Sequence, residues 1–231
     1  MGKDAAHMDK VIITAALTGS RMMRDVAPHI PLTPEEITQS AYECWQAGAS
    51  VVHIHVRDPE TGLGTQDPEI FKRVVTPLRD TTDLVLCLTT SGIPGRNLGY
   101  QDRLAPLALR PELASFDAGS INLGSGVFSN PIDFLEMAAD QMQEMGVKPE
   151  LEVFDLGLIM TSLRLRDQGR LKEPLHFQFV LGTPWGAPAT PQTYLHFLDY
   201  LPEGCTWSTI GIGRHSLNMA MMALITGGHI R

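Results

Sequence analysis

The run Val51-Val52-His53-Ile54-His55-Val56-Arg57-Asp58 sets two imidazoles one residue apart in an apolar context. Along a β-strand, side chains at i and i+2 share a face, so His53 and His55 project together, and Arg57 with them. Two neutral imidazoles on one rigid edge are half of a metal site. The same spacing also suits a structural pair satisfied by hydrogen bonds, so the other half has to be sought elsewhere. A second i, i+2 pair, Glu150 and Glu152, lies in Pro149-Glu150-Leu151-Glu152-Val153. Carboxylates inside an apolar strand need a cation, either as part of a reaction or simply as an arginine salt bridge.

The elements that must carry these groups read as repeated βα units. Short β-branched runs alternate with helical stretches, and the expected strands are 11–16, 50–56, 84–89, 113–118, 151–154, 175–181 and 207–212. Thr33-Pro34-Glu35-Glu36 offers an N-cap, a proline in the first turn and a capping box. Asp67-Pro68-Glu69 and Asn130-Pro131 repeat the cap-then-proline pattern. Phe134, Leu135, Ala138 and Met142 keep helical spacing, and the stretch from Met219 to Met222 reads as packing against a barrel. The fold class is α/β, a (β/α)8 TIM barrel in a single domain over 1–231. The eighth strand would begin at Gly228-His229-Ile230-Arg231, where the sequence stops. The expectation is therefore a barrel without strand 8 onward, with strands 1 and 7 left as open edges. An open seven-stranded sheet is the alternative.

Composition excludes several function classes. The 231 residues carry a net charge of −8 with no basic cluster, which argues against nucleic acid and anionic membrane as partners. No apolar stretch reaches the length of a membrane span, and the N-terminus lacks a signal-peptide core; residues 1–8 read as a leader or cloning remnant. Cys44, Cys87 and Cys205 are odd in number and widely spaced, as expected of buried thiols in a reducing cytoplasm.

In such barrels chemistry gathers at the C-terminal ends of the strands. Those ends hold Thr14 on strand 1 with Arg21 following it, Thr89 on strand 3 with Gly92 following it, and Ser115, Asp117, Ser120 and Asn122 on strand 4. Gln178 lies on strand 6. Gly211-Ile212-Gly213-Arg214 follows strand 7. The glycine spacing there is not a dinucleotide fingerprint and fits a tight strand-to-helix turn. Loops after strands 7 and 8 often hold phosphate, so Arg214 is a candidate for a nucleotide-like pyrophosphate.

Taken in order, Ile12-Ile13-Thr14-Ala15-Ala16, Leu32-Thr33-Pro34-Glu35-Glu36, His53-Ile54-His55, Arg103 to Leu109, Pro149 to Val153, Phe179-Val180-Leu181-Gly182, Gly211 to Arg214 and Thr226 to Arg231 resemble the β-keto acid cleavage enzyme family, whose founding type is the 3-keto-5-aminohexanoate cleavage enzyme. The likeness is nearly chain-wide. It implies a TIM barrel with a divalent metal, usually zinc, and acetyl-CoA as co-substrate, whose pyrophosphate Arg214 would meet. A β-keto acid would be cleaved to give acetoacetate and a new acyl-CoA. The same resemblance makes His53 and His55 metal ligands and Glu152 with Arg231 a catalytic ion pair. It makes Thr89, Ser115 and Asp117 substrate-facing positions, to which Thr14 and Gly92 are added from their places at strand ends. A glutamate ligand and an aspartate base of the family would follow the arginine matching Arg231, past the last residue. Arg21 stands where the lysine-pathway type has a glutamate for the substrate's ammonium, which implies an anionic or polar tail, as in 3-oxoadipate or 3-oxoglutarate. The expected enzyme is a cytoplasmic homo-oligomer; the alternative is a metal-dependent lyase or aldolase on the same fold, acting without CoA.

Overall fold

A computed structural model of the chain describes residues 10–93 and 98–231. The leader expected at 1–8 lies outside the described residues. Eight parallel strands form one sheet: β1 (Thr14–Ala16), β2 (Val51–Ile54), β3 (Val85–Leu88), β4 (Leu113–Asp117), β5 (Lys148–Val153), β6 (His176–Leu181), β7 (Thr206–Gly211) and β8 (His229–Ile230). The order follows the chain, with helices between strands, as right-handed βα repetition requires.

Strand 8 corrects the sequence expectation. His229 and Ile230 pair with Ser208 and Thr209 of β7, and Ile230 bridges to Ile13 beside β1. The Ile230 amide donates to the Ile12 carbonyl at 3.1 Å, and the Ile12 amide donates to Nδ1 of His229 at 3.2 Å. Two residues suffice because each can offer its backbone to both neighbours at once. The edges of β1 and β7 are joined and the barrel is nearly closed.

Period-2 alternation decides which groups face the lumen. Val52 and Ile54, Leu86 and Leu88, Ala114 and Phe116, Leu151 and Val153, and Phe177 and Phe179 are all buried in apolar clusters. Against the first strands pack α1 (Pro34–Gln46) and α2 (Pro68–Thr81), through Ile37, Phe71, Val75 and Leu78. Against the later strands pack α4 (Ile132–Met145), α5 (Leu156–Asp167), α6 (Pro191–Leu198) and α7 (Ser216–Ile225). The intervening residues, His53, Cys87, Ser115, Asp117, Glu150, Glu152, His176, Gln178 and Ser208, are therefore collected inside the barrel, and all are buried.

The helix starts follow their signals, with one exception. Thr33 caps α1 in a full capping box with Glu36, and Asp67 caps α2. At α4 the cap position is Pro131 itself. Asn130 is diverted: its Oδ1 accepts from Arg103 Nη2 at 2.6 Å and its amide donates to the Gly119 carbonyl at 3.1 Å. Arg103, on the short helix α3 (Tyr100–Leu104), lies over the Phe134 ring at 3.9 Å from the centroid, so a charge-assisted bond and a ring face both compete for that corner.

Of the methionines near the end, Met219 is buried and Met222 packs on the core, whereas Met221 is exposed on the outer face of α7. Only Cys87 among the cysteines is fully buried; Cys44 and Cys205 are half-buried, and all three are free thiols. Two antiparallel hairpins not foreseen from the sequence, Val56–Arg57 with Gly64–Thr65 and Ile121–Leu123 with Gly126–Phe128, leave the barrel after β2 and β4. Among the described residues no helix is long and apolar enough to cross a membrane.

Candidate active site

His53 lies on β2 and His55 one residue beyond its end, with ring centroids 5.0 Å apart. Burial first, and then the positive charge of Arg231, hold both imidazoles neutral: His53 well below its usual value and His55 at about 3. Neutral imidazoles are the form that donates a lone pair to a metal. Strand register sets His53 opposite Cys87 on β3. His53 Nδ1, Cys87 Sγ and a Glu150 carboxylate oxygen lie within 4.8 Å of one another, all buried. The donor set thus fits a divalent cation of borderline softness.

Arg231 faces the carboxylates of β5. Its Nη1 donates to Glu150 Oε2 at 2.8 Å and to Glu152 Oε1 at 2.7 Å. Burial opposes its charge, but the two carboxylates outweigh that and hold the guanidinium charged well above its usual range. Glu150 is raised by burial against the pull of Arg231, and its Oε1 has no partner although buried. Asp117, which β-pairing sets beside Glu152, is pushed well above the carboxylate range by burial and then by Glu152. The site is therefore one cation shared by two carboxylates, flanked by a carboxyl group whose proton is held more tightly than usual.

Other residues singled out in the sequence divide into those near this centre and those doing structural work. Thr14 is buried at the start of β1. Thr89 follows β3 and its hydroxyl pairs with Ser91 Oγ at 2.7 Å. Ser115 faces the lumen, but its hydroxyl accepts from the Thr90 amide at 3.1 Å, fixing the end of β3. Ser120 and Asn122 are not on β4, which ends at Asp117: Ser120 Oγ accepts from the Asn130 amide, and Asn122 is exposed on the second hairpin. Gln178 is tied to Ser208 Oγ at 2.5 Å, lower in the barrel.

Arg57 does not join the histidines. The strand stops at Ile54, and the hairpin that follows turns the guanidinium to the carbonyls of Gly62 and Met22, each at 2.9 Å. Arg21 is exposed and lines a cavity of about 740 Å³ together with Gly92, Arg103 and Phe128. A Cβ built on Gly124 would lie 3.0 Å from Arg21 Nη1, so the guanidinium rests against the tip of the second hairpin. Arg214 is exposed on the turn Gly213–His215 after β7.

Two residues were missed as site components. Cys87 was read only as a buried thiol, because nothing in one sequence reveals which residue of the next strand it faces. Arg103 entered only as the first residue of the block Arg103 to Leu109, and nothing in that block places it at a cavity.

Residues 10–231 match the family model for the beta-keto acid cleavage enzyme. The chain is 38% identical over 226 residues to the 3-keto-5-aminohexanoate cleavage enzyme of Fusobacterium nucleatum, covering 97% of this chain and 81% of that protein. It is 36% identical over 224 residues to the 3-oxoadipate:acetyl-CoA acetyltransferase of Cupriavidus necator, covering 95% and 78%. Among solved structures, a ternary complex of ObcA with a C4-CoA adduct and oxalate superposes with a TM-score of 0.73 at 20% identity, over 88% of this chain and 56% of that one, which shows a shared fold. With the lumen of a barrel carrying paired histidines and an arginine-bound glutamate pair, and with matches running along almost its whole length, the chain belongs to the β-keto acid cleavage enzyme family.

Proposed function

We propose that this chain cleaves a β-keto acid with acetyl-CoA, giving acetoacetate and a new acyl-CoA. In that exchange the α-carbon loses a proton and forms a bond to the acetyl carbonyl. The CoA thiolate, released from the acetyl carbon, adds to the original ketone carbon. The bond between that carbon and the α-carbon then breaks; the α-carbon takes back a proton to give acetoacetate, and the ketone carbon leaves as the new acyl-CoA. A zinc ion or similar cation held by His53 and His55 would supply Lewis acidity to the keto acid's oxygens. The chain's own part is positioning and charge. Arg231, anchored by Glu150 and Glu152, keeps a fixed positive charge where an oxyanion develops. Asp117 and Thr89 line the approach, and Thr14, Ser115 and Gly92 shape it. Arg214, exposed beyond β7, is the group assigned to the CoA phosphates.

Arg21 sets the substrate's tail. A guanidinium in the lining of the cavity favours a carboxylate and rejects an ammonium, so the preferred β-keto acid is dicarboxylic. The reading also has the enzyme acting as a cytoplasmic homo-oligomer.

The observation that carries this proposal is the pair of neutral imidazoles, His53 buried and His55 half-buried, beside an arginine clamped by two carboxylates. Acetoacetate is expected only when acetyl-CoA is supplied; release of product from the keto acid alone would replace this reading with a CoA-independent lyase. Bound zinc and turnover should both disappear when His53 and His55 are changed to alanine.

A further inference from the structure

We propose that Cys87 is a sulfur ligand of the cation held by His53, with Glu150 giving the oxygen ligand on the same face. The inference rests on the cation assigned above and names donors that no histidine pair supplies. Cys87 Sγ lies 3.4 Å from His53 Nδ1 and 3.5 Å from Glu150 Oε2, and His53 Nδ1 lies 3.8 Å from Glu150 Oε2. Zinc bonds of about 2.0–2.3 Å at tetrahedral angles require donor separations of roughly 3.3–3.6 Å. The three atoms therefore stand within about 0.5 Å of the edges of a tetrahedral face, before any adjustment to an ion.

The backbone fixes this placement. His53 and Cys87 are register partners on adjacent strands, so their side chains leave the sheet side by side. Leu86 and Leu88 are buried in the cluster under α1 and α2, which leaves the thiol no direction but the lumen. Glu150 supplies the oxygen on that face: Oε2, which accepts from Arg231 at 2.8 Å, is also the atom that faces His53 and Cys87, and a carboxylate oxygen has a second lone pair for a cation. Such a site mixes nitrogen, sulfur and oxygen, which favours zinc or cobalt over magnesium and manganese.

The test loads the metal-stripped chain, carrying Cys44→Ser and Cys205→Ser, with Co²⁺ and records both cobalt content and the absorption spectrum. Cys87 is then the only thiol, so an intense near-ultraviolet sulfur-to-cobalt charge-transfer band at one ion per chain is the expected result. Cys87→Ser should remove the band and weaken cobalt retention by more than the roughly 10–100-fold that outer-shell changes cost. Because the band is read with Cys87 in place, the outcome does not depend on that variant folding. Stoichiometric cobalt that needs His53 but shows no sulfur band overturns this assignment and leaves the proposed function standing. A chain that takes up no cobalt, or takes it up equally well after His53→Ala, overturns both.

Discussion

At the scale of single residues, the ion pair cluster makes the sharpest prediction. Glu150 is fully buried and Glu152 nearly so, and Arg231 is the charge that both lean on. Arg231→Met would leave two adjacent buried carboxylates without a counter-ion, at a cost of about 3–5 kcal/mol in stability. Urea denaturation at pH 8 should show that loss, and the double variant with Glu150→Gln should recover part of it, because one of the stranded charges is gone. Arg21 makes a different kind of prediction, since it is exposed and holds up no part of the core. Arg21→Glu should lower kcat/KM for a keto acid with an anionic tail on the order of tenfold relative to one with a neutral tail, as expected for losing a charge-assisted contact. Competition between the two substrates in one vessel measures this directly, and an unchanged ranking would remove Arg21 from the specificity argument. Much of the site was legible at this scale: His53 with His55, and Glu150 with Glu152, are i, i+2 pairs whose shared direction needs no fold to predict. Arg57 was not, because its direction depends on where β2 stops.

At the scale of elements, caps and turns carry the argument. The capping box of α1 satisfies three backbone amides: Glu36 accepts from Leu32 and Thr33 at 2.9 and 3.0 Å, and Thr33 Oγ1 accepts from Glu36 at 3.2 Å. Thr33→Ala should cost about 1 kcal/mol, read as a lowered urea midpoint with unchanged slope. The turn after β7 is less forgiving. A Cβ on Gly211 would fall 2.3 Å from the His215 carbonyl oxygen, a backbone atom that cannot swing aside, so Gly211→Ala should displace the turn carrying Arg214. Its expected signature is a raised KM for acetyl-CoA. Both features were readable from sequence because they are local chemistry. The diversion of Asn130 from its cap was not readable, since the competing donor, Arg103, comes from 27 residues away in the chain and reaches it only in the folded barrel.

At the scale of the whole molecule, the alternation of β-branched runs with helical stretches announced the barrel, yet the length of β8 and the partners across the lumen were hidden. Two residues of β8 carry no periodicity, and the pairing of His53 with Cys87 is set by how the sheet closes. Closure also has a consequence for pH. His176, at the start of β6, is buried deep in the barrel, with Nδ1 2.8 Å from Thr206 Oγ1 and Nε2 3.4 Å from Ser208 Oγ. Burial, and next the positive charge on His229, lower it from 6.5 to about 4. A depressed value means the unfolded chain binds the proton more readily between those limits. The contribution of His176 to stability is therefore complete above pH 6.5 and is lost as the pH falls toward 4, amounting to about 2–4 kcal/mol across the window. Carboxylates that are raised on folding, such as Asp117, change stability in the opposite sense over an overlapping range, so the wild-type curve alone cannot isolate the histidine. The difference between wild type and His176→Gln can. Urea stabilities measured for both at steps from pH 7.5 to 4 should converge as the pH drops, because glutamine has no proton to gain. Parallel curves would mean that the imidazole is already free to titrate in the native barrel, and that its burial between β6 and β7 does not resist charge.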